Sequence, residues 1–276
     1  MQNAETVLGV LRERGRRGLP CDELYRQLFN PQLYLLAYGR IYSNKGAMTP
    51  GVTGETVDGM SLGKIGRIID ALRHERYRFS PVRRVFIPKP NGKRRPLGLP
   101  TWTDKLVGEV VRLLLEAYYE PTFSDRSHGF RPRRGCHTAL REVANTWAGT
   151  SWFIEGDISD CFGSLDHQVM IDTLAEKIHD GRFLRLLRNM LQAGYLEDWI
   201  YGATLSGAPQ GGVTTPPTHW ATSVLRRRWV TGGWSVVGDG RAVAEARGGV
   251  VAGVWWAGGG CSAGVLAGCR AEGDLG

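Results

Sequence analysis

Asp157 closes a short apolar run, Ser-Trp-Phe-Ile-Glu-Gly-Asp, that begins at Ser151. A carboxylate at the end of a buried strand suits a divalent cation. Two such ions, roughly 3.5 to 4 Å apart and held by carboxylates, can activate a hydroxyl for attack on a phosphate and stabilise the leaving group. The same side chain could instead cap the following turn, and the run alone does not decide between the two. Residues suited to phosphate oxygens stand upstream in RRVFIPKPNGKRRPLGLP, from Arg83 to Pro100. There Lys89 offers a point charge and Arg95 a planar fork on opposite arms of a predicted hairpin, and an exposed charge on the hairpin rim is a reading that applies equally to Lys93 and Arg94. A second basic stretch, HGFRPRRGCHTAL from His128, carries Arg131, Arg133 and Arg134 on a Gly/Pro-rich loop. Basic side chains on such a loop position a polyanion without reading its sequence. Farther on, Gln210 lies in Ala-Pro-Gln-Gly-Gly, where glycine allows close backbone approach.

The elements that must position these groups can be read from spacing. Leu24, Leu28, Leu35, Tyr38 and Tyr42 recur at helical intervals broken by Asn30-Pro31, which predicts two short helices. Residues 45–54 form a Gly, Pro and Thr-rich loop, and Ser61 caps a predicted helix to about Arg76 with Leu62, Ile65, Ile69 and Leu72 facing the core. Asn91-Gly92 favours the left-handed turn of a tight hairpin. Thr103 is the expected cap of a helix carrying Leu106, Val110, Leu114 and Tyr118, ended by Glu120-Pro121. A helix from about His137 to Trp147 precedes the Ser151 to Asp157 strand. Asp166 then caps a helix with Val169, Leu174 and Ile178, and Asp180-Gly181 separates it from another over about 183–193. Tyr195 to Leu205 is a second candidate hairpin. Helices interspersed with hairpins predict an α+β fold.

Lys and Arg total 35 against 27 Asp and Glu, a formal charge of +8 that favours polyanionic partners through release of their counterions. A solvated basic surface would give the same charge. The five cysteines are scattered, without a Cys-x-x-Cys pair, and fit reduced thiols in the cytoplasm. Cys136 and Cys161 read as small buried residues. His128, His137 and His167 lack the spacing of metal ligands. No run approaches the roughly 20 apolar residues that cross a bilayer, and no membrane partner is expected.

Four blocks stand in a fixed order: IPKPNGKRRPLGLP, HGFRPRRGCHTAL, FIEGDISDCFGSLDH and APQGGV. Together they resemble the fingers and early palm of group II intron reverse transcriptases, which are RNA-directed DNA polymerases. The upstream YSNKGAMTPGVTGETVDGM is similar to that family's N-terminal extension, with Thr53 where the family usually has Asp. The resemblance covers about residues 25–213. It implies an extension over 1–60 that contacts template RNA, and fingers with a partial palm of the right-hand polymerase type over 61–213. It implies group II intron RNA as template, a DNA primer, dNTP as substrate and Mg2+ as cofactor. By the same resemblance Asp157 is the first catalytic carboxylate, with the carbonyl of Ile158 as a further metal ligand. Phe162 is the aromatic residue under the sugar, Lys89 and Arg95 clamp the triphosphate, and Gln210 contacts the nucleotide near the template. Gly163 replaces the family's usual Asp.

After Val213 the composition changes. No Lys, Ile, Phe, Tyr, Asn, Gln or Met occurs from there to Gly276, and the sequence has no Asp-Asp pair, whereas the family's second catalytic element is Tyr-x-Asp-Asp. Val-Val-Gly-Asp-Gly around Asp239 lacks both the aromatic residue and the paired acid. Residues 214–276 are therefore expected to form a non-native, disordered tail, the product of a frameshift that leaves an incomplete polymerase. The genetic code permits this: read from the third base of His219, the codons of Trp220 and Ala221 must yield Leu-Gly. A non-catalytic RNA-binding remnant is the alternative to an enzyme, and an inert product of a decayed gene is a third reading.

Overall fold

The computed structural model describes residues 2–44, 46–88, 92, 94–129, 131–147, 152–157, 166–207, 250–256 and 263–269, with 152–157 and the last two segments described by backbone alone. The chain divides into two compact units, Met1–Thr122 with Phe162–Ala221, and Phe123–Cys161 with Thr222–Gly276. Helices and antiparallel strands are intermixed, as an α+β fold requires.

The first unit is built on α5 (Trp102–Tyr119), whose buried residues fall on every side of the helix, from Trp102 and Leu106 to Tyr118 and Tyr119. It starts two residues earlier than expected. Thr101, not Thr103, is the cap: its Oγ1 accepts from the Asp104 amide at 3.1 Å and donates to the Asp104 carboxylate at 2.7 Å. The earlier start is what brings Trp102 inside, 1% exposed. Thr103 donates instead to Glu55 at 2.9 Å.

Helix α1 (Ala4–Arg16) adds an element ahead of those expected from the sequence. Asn3 accepts from the Glu5 amide, and Val7, Leu8, Leu11 and Gly15 make one buried face. At Gly15 α1 meets α5 backbone to backbone: a Cβ there would lie 1.8 Å from the Tyr118 carbonyl oxygen. Two short helices follow as expected, α2 (Leu24–Gln27) and α3 (Pro31–Ile41), with Asn30 capping Gln32 and proline in the first turn.

Helix α4 (Leu62–Arg73) begins at the Ser61 cap, but its core face is Ile65, Ile68, Ile69 and Leu72. Leu62 is 73% exposed, since the first turn projects beyond the packed layer. Helices α7 (His167–Ala175) and α8 (Gly181–Leu191) are capped by Asp166 and Asp180. Val169 is exposed, and Met170 and Ile171 take the inward positions. Asp180 is buried and accepts three amides: Arg182 and Phe183 of its own helix, and Tyr25 across the unit at 2.8 Å.

One sheet in this unit runs β2 (Arg94–Leu99), β1 (Val82–Pro88), β4 (Tyr195–Glu197), β5 (Ile200–Gly202). Strands β1 and β2 form the expected antiparallel hairpin, and Gly92 between them has φ +76°, the left-handed region the Asn-Gly reading required. Asn91 itself lies outside the described residues. Strand β4 joins β1 in parallel, pairing Val82 with Tyr195, and β4 and β5 form the second hairpin.

The second unit holds α6 (Cys136–Thr146) and a sheet ordered β3 (Trp152–Asp157), β7 (Ala263–Cys269), β6 (Val250–Trp256). Where a disordered tail was expected, 250–256 and 263–269 pair antiparallel, and β7 also pairs with β3 from Trp152 opposite Cys269 to Asp157 opposite Gly264. Valine and tryptophan in β6 supply the strand preference that the glycine content had masked. Cys136 is exposed rather than buried, because it occupies the first turn of α6, before the inward-facing Ala139. Cys161 lies outside the described residues. Among the described residues no helix is long and apolar enough to cross a membrane.

Gly15→Ala is expected to destabilise the first unit by about 3 kcal/mol, since neither backbone can yield locally, a loss of about 10 °C in Tm by calorimetry. An unchanged Tm would show that α1 does not seat on α5 in this way. Burial raises the phenol pKa of Tyr25, Tyr34 and Tyr119, takes that of Tyr77 well above its ordinary value and pushes Tyr118 up to about 12. Each folded pKa is raised, so the stabilisation is complete below the ordinary tyrosine value of 10 and is lost as pH climbs above it. Circular dichroism should report cooperative unfolding in that window, coincident with the rise of phenolate absorbance. Full phenolate absorbance with retained structure would contradict the burial of these rings.

Candidate nucleic-acid interface

The basic hairpin carries arginines on both faces of its sheet. Directly paired residues share a face, so Arg84, Phe86 and Pro88 lie with Gly98, Pro96 and Arg94, and Arg83, Val85 and Ile87 lie with Leu99, Leu97 and Arg95. Arg94 is exposed and Arg95 half-buried. Lys89, one residue past β1, lies outside the described residues.

Arg83 turns to the loop before it, donating to the Pro50 carbonyl at 2.9 Å. Lys105 on α5 ties the same loop, donating to the carbonyls of Gly46 and Thr49 at 3.2 and 2.9 Å. Burial, and then the charge of Arg83, lower the Lys105 pKa. Gly51 passes so close to α5's entry that a Cβ would meet the Pro100 carbonyl at 2.6 Å. Beside this loop is an open cleft of about 440 Å³, lined by Glu55, Lys64, Arg67 and Tyr77 among others. Glu55 accepts from Lys64 at 2.8 Å. Partial burial opposes ionisation of Glu55, but the hydrogen bonds from Lys64 and Thr103 outweigh it and hold the carboxyl below its usual range.

Arg84 lies on the opposite face. Its guanidinium sits 3.2 Å from the centroid of the Tyr195 ring and 3.4 Å from the Glu197 carboxylate, so the junction of β1 with β4 is a stacked cation as well as a backbone pairing. The sequence reading missed this contact. Arg84 and Tyr195 are more than a hundred residues apart, and no local pattern joins them.

In the second unit the three arginines of the basic loop do different things. Arg131 is 8% exposed, donates to the carbonyls of Ser124 and Ser127 at 2.6 and 2.9 Å, and lies 5.4 Å from the Phe123 ring centroid. It braces the loop from inside. Arg134 donates to the Asp125 carboxylate at 3.0 Å. Arg133 is exposed, held outward by a left-handed backbone with φ +60°. His128 bonds Thr138 at 2.9 Å and Glu142 at 2.8 Å, which fastens the loop to α6. In the first unit His167 bonds the Gly207 carbonyl at 2.7 Å.

Asp157 is the last residue of β3, as the sequence placed it, with its backbone opposite Gly264. Ile158, Phe162 and Gln210 lie outside the described residues. Among the described residues no three His, Cys, Asp or Glu side chains are placed to share an ion. Two Mg2+ ions need several oxygen ligands, and of the expected ones the described residues place only the backbone of Asp157.

The reverse transcriptase (RNA-dependent DNA polymerase) family matches residues 87–221, a span that runs past the boundary expected at Val213. The chain is 50% identical over 194 residues to the group II intron-encoded protein LtrA of Lactococcus lactis subsp. cremoris, covering 70% of this chain and 32% of LtrA. It is 31% identical over 135 residues to the nuclear intron maturase 1, mitochondrial, of Arabidopsis thaliana, covering 49% of this chain and 15% of that one. Among solved structures, the partial Cas6-RT-Cas1–Cas2 complex superimposes with a TM-score of 0.53 at 16% identity, over 91% of this chain and 39% of that one, a likeness of fold.

Arg131→Ala should lower the Tm by several degrees, because two loop carbonyls lose their donor and the buried space of the Arg131 side chain is emptied. Arg133→Ala should leave the Tm unchanged and weaken binding to a structured RNA. Thermal melts and filter binding on both variants separate the two roles, and an RNA defect confined to Arg131→Ala would reverse the assignment.

Proposed function

Because the chain belongs to the group II intron reverse transcriptase and maturase family and spans about a third of the length of LtrA, we propose that it is the template-binding front of such an enzyme, unable to synthesise DNA alone. The match over residues 87–221 carries this reading, because it encloses Lys89, Arg95, Asp157, Ile158, Phe162 and Gln210 in one continuous span. In this proposal the N-terminal extension and the basic loops hold the RNA backbone. Lys89 and Arg95 receive the triphosphate of an incoming dNTP, Phe162 lies under its sugar and excludes a 2′-hydroxyl, and Gln210 contacts it near the template. Asp157, with the Ile158 carbonyl, would hold Mg2+ only once the second carboxylate element, absent from this sequence, is supplied. In this proposal a change of reading frame, placed by the family match near residue 221 rather than at Val213, accounts together for the composition break and the missing Asp-Asp pair.

A non-catalytic, maturase-like RNA-binding role is the second reading, favoured by the same missing pair. Both readings require phosphate-dominated RNA binding. Filter binding with a structured RNA should show affinity falling about a hundredfold or more between 50 and 200 mM salt, as counterion release predicts for several phosphate contacts. A flat response would leave the charge as ordinary solubilising surface. Primer extension with the 276-residue chain should yield no cDNA. If cDNA forms, the chain is a complete polymerase and another acid, such as Asp239, completes the site.

A further inference from the structure

Strand β5 is an edge of the first sheet, and the turn that joins it to β4 is exposed. Trp199 there is 91% exposed and Tyr201 58%. Both turn residues, Asp198 and Trp199, have left-handed backbones, with φ of +49° and +66°. Glycine, asparagine or aspartate adopts such a turn position at little cost, whereas tryptophan at the second position pays about 1 kcal/mol or more. The turn therefore presents a large ring to solvent in a conformation that local propensity disfavours.

The rings are also braced. Tyr201 lies against Gly194, where a Cβ would come 2.6 Å from the ring, so glycine alone lets it settle there. Tyr195 lies against Gly202 in the same way and carries the Arg84 guanidinium 3.2 Å from its centroid. Tyr201 thus has one face fixed by the hairpin and the rest open, while Trp199 is open all round. A two-residue turn is convex and too small to bury the roughly 800 Å² per partner of a stable protein interface. One planar ring suffices to stack an unpaired base, and every base has a face to offer.

We infer that the β4–β5 turn is a stacking platform for unpaired bases of RNA, with Trp199 as the principal ring and Tyr201 beside it. This rests on the RNA-binding reading above. The sheet supplies the setting, since Arg83 and Arg84 stand on β1, the strand next to this hairpin, and Arg94 and Arg95 on β2 beyond it, in a chain of net charge +8. Glu197 is paired with Arg84, and the exposed Asp198 carboxylate keeps phosphates off the tip, so the contact is made by rings.

Binding of the full chain to an RNA with a single-stranded loop, and to the fully paired duplex of the same length, is measured across a salt series for the unaltered protein, Trp199→Ala and Trp199→Phe. Stacking predicts about a tenfold loss for Trp199→Ala on the looped RNA at every salt concentration, with an unchanged salt slope. Little loss is expected on the duplex, and Trp199→Phe should bind nearly as well as the unaltered chain. Equal binding by Trp199→Ala overturns this inference and leaves the RNA reading standing. A lower salt slope shows that the tip acts through phosphates and overturns it too. Loss of self-association in Trp199→Ala, seen by sedimentation without RNA, makes the tip a protein contact and also overturns it. If the unaltered chain binds neither RNA, the RNA reading itself fails and takes this one with it.

Discussion

A helix buried on every side can carry charge only if that charge is answered inside, and α5 carries three acids. Asp104 accepts from the Tyr77 hydroxyl at 2.6 Å, from Thr101 and from the Ser80 amide. Burial still raises its pKa above the ordinary carboxylate value. Glu109 and Glu116 share Arg112, with contacts from 2.6 to 2.8 Å, and Arg40 reaches Glu116 from α3 at 3.2 Å. Removing any one partner would leave a buried charge or an unsatisfied oxygen, which is far more unfavourable than the pair is favourable. The consequence reaches the basic hairpin. Asp104 fixes Ser80, just before β1, and its own cap Thr101, just after β2, so one carboxylate holds both ends of the hairpin. Lys105 and Thr103, its neighbours, hold the preceding loop and Glu55.

Turn and cap chemistry was largely legible in the sequence. Ser61, Asp166 and Asp180 were read as caps or breaks and are caps, because a short polar side chain before an apolar run has few other uses. Gly92 was legible for the same local reason. Register at the start of α5 was not: Thr101 and Thr103 are both plausible caps, and the choice is made by Glu55, which occupies Thr103. Leu62 is exposed against expectation because helical spacing admits a residue to the stripe whether or not a neighbour exists opposite the helix end. Helix α1 left a clear trace in Val7, Leu8 and Leu11 that was passed over.

For the candidate interface the sequence named residue types well and environments poorly. Arg131, Arg133 and Arg134 are alike on paper, yet one braces its loop from within, one pairs with Asp125 and one points outward. The difference lies in which carbonyls the Gly/Pro-rich loop leaves unsatisfied, and that depends on its tertiary course. Trp199 escaped notice because an aromatic residue in a strand-like run reads as core. Its exposure follows from the two-residue turn, which places position 199 beyond the last pairing, Glu197 with Ile200.

The parallel pairing of β1 with β4 sets an order of assembly. Val82 must wait for Tyr195, and at about 5 to 20 residues per second the ribosome needs on the order of 5 to 20 s to make the intervening chain. Throughout that interval the β1–β2 hairpin can exist only with the side of β1 that will receive β4 unpaired, an invitation to the wrong strand. Arg83 and Arg84 stand on that side, one on each face. Positive charge on both faces of an unpaired strand is a feature that disfavours edge-to-edge pairing between hairpins.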